Sequence, residues 1–131
     1  NKQLVEAAQQ AGVATTMDFA IFQNHGYKGL YGGLDQNAIH QRKELKKSQK
    51  ILDFMGSTEL AANLFRATQT EEKLRRDQIK SRQQANQTHF NVGQKVRKTI
   101  EELGGTMPEN LPVPKHSIQH IESTTKKLSK K

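Results

Sequence analysis

Six positions constrain this chain most. Ala85, His89, Val92, Val96, Ile100 and Leu103 recur at spacings of 4, 3, 4, 4 and 3. An α-helix turns once in about 3.6 residues, so the series forms one stripe along a single helix. Such a stripe is a packing seam, in a bundle or in a short coiled coil. Helical spacing dominates elsewhere too, and no convincing alternating strand run occurs. The expected fold class is all-α, an irregular multi-helix bundle.

Punctuation places the other elements. Residues 2–11 form a helix with Leu4, Val5, Ala7, Ala8 and Ala11, and Gly12 can end it. Thr15 and Asp18 make a capping box for a helix carrying Met17, Phe19, Ile21 and Phe22, which Gly26 is expected to stop. Residues 26–33 (GYKGLYGG) are expected to be a Gly/Tyr loop, with Tyr27, Leu30 and Tyr31 packed on the helices. The loop lacks the GxxxxGK[ST] phosphate-binding pattern. Asp35 caps a helix from about 36. Ser57 caps the helix containing ELAANLFR, and Thr68 with Glu71 signals a kink or a new start. Gly104-Gly105 ends the seam helix. Residues 106–116 hold all three prolines and favour an extended surface path. Ile118, Ile121, Thr125 and Leu128 mark a short C-terminal amphipathic helix before a Lys-rich end. The expected organisation is a helical domain over 1–105, then a Pro-rich segment and basic helix or tail over 106–131. A chain that opens at Asn1 inside a helix is expected to be part of a longer protein.

Charge directs the functional reading. Lys and Arg number 21 against 13 Asp and Glu, a net charge of +8. Residues 1–34 and 83–114 each balance, so the excess lies in a middle block and in the tail. An anionic partner is the expectation. If the helix from 36 runs on unbroken, Arg42, Lys43, Lys46, Lys47 and Lys50 share an arc of about 140°. If the next helix is continuous, Arg66, Lys73, Arg76 and Lys80 share one of about 80°. These nine are the candidate contacts to nucleic acid or to an anionic partner. Glu72–Arg76 and Glu72–Arg75 read as ordinary helix-surface pairs.

Catalysis finds no motif. There is no cysteine. His116 and His120 have metal-ligand spacing but no third ligand. His89, on the seam, reads as a packed, hydrogen-bonded histidine, and His25 as a cation beside a helix end. No catalytic residue, metal or cofactor is expected. No membrane span is present, and a cytoplasmic chain is expected.

Three strings occur together: DFAIFQNHGYKGLYGGL at 18–34, KKSQKILDFMGSTELAANLFRATQTEEKLRRD at 46–77 and GGTMPENLP at 104–112. They closely resemble the C-terminal part of the bacterial DinD family of DNA-damage-inducible proteins. The resemblance implies a non-enzymatic product of the SOS response that modulates RecA filaments on single-stranded DNA. It also implies an additional N-terminal domain in the intact proteins, of the kind found in phage antirepressors. The alternatives are a module that binds single-stranded or duplex DNA directly or regulates transcription, and a dimerisation domain built on the 85–103 seam.

Overall fold

The computed structural model describes residues 1–115. Within them the fold is all-α. Five α-helices follow in order: α1 (Lys2–Gln10), α2 (Thr16–Leu30), α3 (Gln36–Arg42), α4 (Ser57–Arg76) and α5 (Arg82–Glu102). Single 3-10 turns occupy Ile51–Phe54 and Pro108–Asn110. The C-terminal amphipathic stripe, His116, His120 and the Lys-rich end lie outside the described residues.

Several boundaries follow the local signals. Thr15 and Asp18 close the capping box in both directions, at 3.0 and 3.3 Å. Asp35 caps α3 by accepting from the Ala38 amide at 2.9 Å. Gly12 ends α1 with φ +102°. Gly104 ends α5 with φ +74°, and the Gly105 amide returns to the Ile100 carbonyl.

Other boundaries move. Gly26 does not stop α2. The helix continues to Leu30, so the expected Gly/Tyr loop shrinks to its last residues, and Gly32 and Gly33 make the turn. The reason is helix–helix approach. A Cβ on Gly26 would overlap the His89 ring, and one on Gly29 would overlap the Phe90 carbonyl. A Cβ on Gly93 would stand 2.7 Å from the Gly26 oxygen. These glycines let α2 and α5 pack backbone to backbone, the most extensive helix contact in the fold. Each costs roughly 1 kcal/mol of helix propensity, which the contact offsets. His25 accordingly lies inside α2, its Nδ1 2.9 Å from the Ile21 carbonyl, and not beside a helix end.

The helix from 36 ends at Arg42, and Glu44 takes a left-handed conformation with φ +57°. Ile39, Ile51 and Phe54 then reach the core, which a continuous helix to 52 would not allow. In α4 the capping residue is Gly56, one position before Ser57. Thr68 makes no cap; its Oγ1 donates to the Phe65 carbonyl and the helix runs through.

Two apolar clusters form. One gathers α1 (Leu4, Ala7, Ala8) with Phe22, Ala67, Leu74 and Ala85. The other gathers Tyr27, Leu30, Tyr31, Ile39, Ile51, Met55 and Val96. The 85–103 seam therefore packs within the chain, with Val92 and Ile100 half-buried and Leu103 80% exposed. Met17 and Ile21, expected to pack, are exposed, whereas Phe22 is buried. The proline segment is only partly a surface path. Pro108 is buried and Glu109 is held by Arg97 at 2.8 and 2.9 Å.

Candidate anionic-partner surface

A buried polar network joins the two clusters, and it contains two of the nine candidate bases. Lys43 caps α3 and turns inward; its Nζ donates to Glu59 Oε1 at 2.7 Å and to the Phe54 carbonyl at 3.2 Å. The side chains of Lys43 and Glu59 are 6% and 1% exposed. The Tyr31 hydroxyl donates to Glu59 Oε2 and accepts from Asn63 Nδ2 at 2.9 Å. Asn63 Oδ1 accepts from Arg66 at 3.3 Å. Arg66 then donates to His89 Nε2, and His89 Nδ1 donates to the Phe22 carbonyl at 2.8 Å. Arginine cannot accept and a carbonyl cannot donate, so His89 is the neutral tautomer with its proton on Nδ1.

The electrostatics agree with that chain of bonds. Burial pushes the His89 pKa well below the usual histidine range, and the neighbouring Arg66 charge adds to the effect. Burial also lowers Arg66 from its ordinary value. Arg66 lies over the Tyr27 ring, 5.0 Å from its centre, which gives the charge a partner other than a carboxylate. Burial raises Tyr31, and its bond to Glu59 raises it further, so the hydroxyl remains a donor. His89 is thus a packed, hydrogen-bonded histidine. Glu59, Asn63, Arg66 and Thr70 supply the inward face of α4 at spacings of 4, 3 and 4.

The remaining candidate bases divide into four groups. Arg42 stays exposed but pins the proline segment, its Nε 2.7 Å from the Glu109 carbonyl and its Nη2 2.6 Å from Asn110 Oδ1. Lys73 bonds Asp77 at 2.8 Å, and Arg76 bonds Glu72 at 2.6 Å. Arg75 pairs with Glu71 and not with Glu72. Lys80 lies beyond the end of α4, so the four-residue arc from Arg66 to Lys80 does not exist as one helix face. The other arc is replaced by a loop over 43–50, where Lys46, Lys47 and Lys50 are exposed. Among the described residues none of these three meets a carboxylate within bonding distance. His40 Nε2 holds the loop by donating toward the Lys46 and Gln49 carbonyls at 3.1 and 2.9 Å.

A second cationic surface was not expected. A broad open depression of about 1110 Å³ spans the ends of α2, α4 and α5. It brings Lys73 and Arg76 together with Lys28, Lys95, Arg97 and Lys98. Summing charge over residues 83–114 conceals it, because Glu101, Glu102 and Glu109 cancel Lys95, Arg97 and Lys98 on paper. The sign of each position along α5 was the signal available. No group of three or more acidic or histidine side chains among the described residues could hold a metal ion.

Comparison with known proteins decides the family. A family model described as the DinD C-terminal domain matches residues 1–121. The chain belongs to this family. It is 77% identical over 131 residues to a protein named DNA damage-inducible protein D from Escherichia coli (strain K12). The match covers 100% of the chain and 48% of that relative, so the chain spans about half the relative's length. No solved structure matches. Among the described residues no helix is long and apolar enough to cross a membrane.

Proposed function

We propose that this chain is a non-enzymatic interaction module of a DNA-damage response protein, acting in the cytoplasm on a RecA filament assembled on single-stranded DNA. The observation that carries the reading is the 43–50 loop. Lys46, Lys47 and Lys50 stand exposed on it without carboxylate partners among the described residues. The loop is anchored at one end by the buried Lys43–Glu59 pair and in its middle by His40. Cations on a held loop lose little freedom when they meet a polyanion, and a nucleoprotein filament is one. The DinD family membership and the relative's name, DNA damage-inducible protein D, support the biological setting.

The test is a filament-disassembly assay on RecA-coated single-stranded DNA. Changing Lys46, Lys47 and Lys50 together to Glu should abolish the effect of the chain, with an unchanged circular dichroism spectrum. Full activity in that variant removes the loop from the mechanism.

A further inference from the structure

The outward face of α5 carries chemistry that the 43–50 loop lacks. From Arg82 to Ile100 the helix contains no Asp or Glu. Apart from Thr99, its exposed side chains there are amides and cations, among them Gln87, Asn91, Gln94, Lys95 and Lys98. Positions 87, 91, 94 and 98 follow at spacings of 4, 3 and 4, one face about 17 Å long at 1.5 Å per residue. Ordinary solvent faces intersperse both signs of charge. This one offers an anion no repulsion until Glu101.

Lys95 and Lys98 on this face, and Lys28 of α2 across the depression, are also available. Among the described residues these three bond no carboxylate. Their neighbours in the depression are held: Lys73 by Asp77, Arg76 by Glu72 and Arg97 by Glu109. The α4 wall presents Phe65 with 53% of its surface exposed. The depression, about 1110 Å³ and open to solvent, is larger than the ~300–1,000 Å³ of small-molecule sites, which suits a polymer.

Lysines neutralise phosphates, amide side chains bond phosphate oxygens and base edges, and an exposed ring stacks on an unpaired base. A duplex offers Phe65 no free base face. An acidic peptide would use the lysines and leave the ring without a partner. We infer that the α5 face, with Phe65 beside it, binds single-stranded nucleic acid through its phosphates and one stacked base. The inference extends the proposed function, because the filament contains a single strand, but it uses a separate surface.

Fluorescence anisotropy of a labelled oligothymidylate, titrated with the 131-residue chain over a salt series, tests it. With three lysines on phosphates, log affinity should fall against log salt with a slope of about −2. Lys95→Gln combined with Lys98→Gln should make the slope shallower by about 1.4. Phe65→Ala should weaken oligothymidylate binding by about 5- to 150-fold and leave duplex binding unchanged. All these positions are exposed, and thermal denaturation verifies that each variant is folded. Absence of binding at low salt overturns the inference. So does equal loss of single-strand and duplex binding on Phe65→Ala, or displacement of the oligonucleotide by polyglutamate, which would assign the face to an acidic protein. Filament disassembly without oligothymidylate binding also overturns it, while leaving the proposed function standing. A Lys46→Gln, Lys47→Gln, Lys50→Gln variant should keep the Phe65 dependence. Its disappearance there would show that α5 is not a site of its own.

Discussion

The inner face of α4 and the outer face of α5 are both polar, and they behave in opposite ways. On α4, Glu59, Asn63, Arg66 and Thr70 are buried, while Leu64 and Phe65 face solvent. On α5, Gln87, Asn91, Gln94, Lys95 and Lys98 face solvent, and Ala85 and Val96 are buried. The difference lies in the partners that the rest of the chain supplies. Each polar side chain of the α4 set meets a complement: Lys43 and Tyr31 for Glu59, Tyr31 for Asn63, His89 and Tyr27 for Arg66, and the Arg66 carbonyl for Thr70. The α5 set has few complements within the described chain. Its internal bond is Gln87 to Asn91 at 2.9 Å. A polar face becomes part of a core when it finds partners, and stays available to an external ligand when it does not.

The sharpest way to break the α4 side is Glu59→Gln. It leaves the Lys43 ammonium buried without its countercharge. Breaking a buried pair by removing one partner destabilises by about 3–5 kcal/mol. Urea denaturation should show that loss, with Lys43→Met in the same background recovering part of it. An unchanged midpoint would mean that the pair is not desolvated in solution.

Gly26→Ala comes next. The added methyl group meets the His89 ring, so either α2 and α5 separate or the network shifts. Overpacking of this kind costs about 1–3 kcal/mol. Gly33→Ala meets no neighbouring atom, although its φ of +104° adds backbone strain. Thermal denaturation of the two variants separates helix approach from turn strain.

The third prediction concerns pH. The folded pKa of His89 is lowered, so below about 6.5 the unfolded chain binds a proton that the folded chain does not. Stability is therefore complete above about pH 6.5 and falls as pH drops below it, with a limiting slope of about 1.4 kcal/mol per pH unit. The Glu109 carboxyl acts at lower pH. Burial opposes its ionisation, but the Arg97 bond overcomes that and holds it below the ordinary carboxyl value of 4.5. Its contribution is present above that value and is lost as pH falls through the lowered one. His89→Gln should flatten the stability profile between pH 5 and pH 7 and leave the acid limb from Glu109 intact. A profile of equal slope in the variant would refute the assignment to His89.

The smallest effects belong to the exposed lysines of α5 and of the end of α4. Lys95→Gln with Lys98→Gln should change stability by no more than about 0.5 kcal/mol, because both side chains are exposed and bond no carboxylate among the described residues. Lys73→Ala should cost less than about 1 kcal/mol, since its pair with Asp77 is solvent-exposed. A large loss in either case would place α5 or the end of α4 in the folding core and end the contrast.

Much of the fold is legible in the sequence. Capping chemistry is local, so Thr15, Asp18, Asp35 and Gly104 marked their helix ends correctly. The α5 seam was visible because its period repeats over five turns. Gly26 misled because a glycine that ends a helix and one that admits a neighbouring backbone look identical in sequence. Long-range approach decides between them. The candidate site was less legible for a related reason. Helical wheels place a lysine on a face but do not say what stands opposite. Lys43 and Arg66 are long enough to reach inward, and Glu59, Tyr27 and His89 were there to receive them. Lys46, Lys47 and Lys50 lie outside, on the loop that follows the end of α3 at Arg42.

By itself, then, the sequence determined an all-helical chain with an excess of positive charge, most of its helix ends, and its family. These depend on backbone propensity, on residues three or four apart, and on long shared strings. Which charges are internal and which remain for a partner is set by long-range packing. That outcome depends on groups 16 to 67 residues apart, such as Lys43 with Glu59 and His89 with Phe22, meeting where water is excluded.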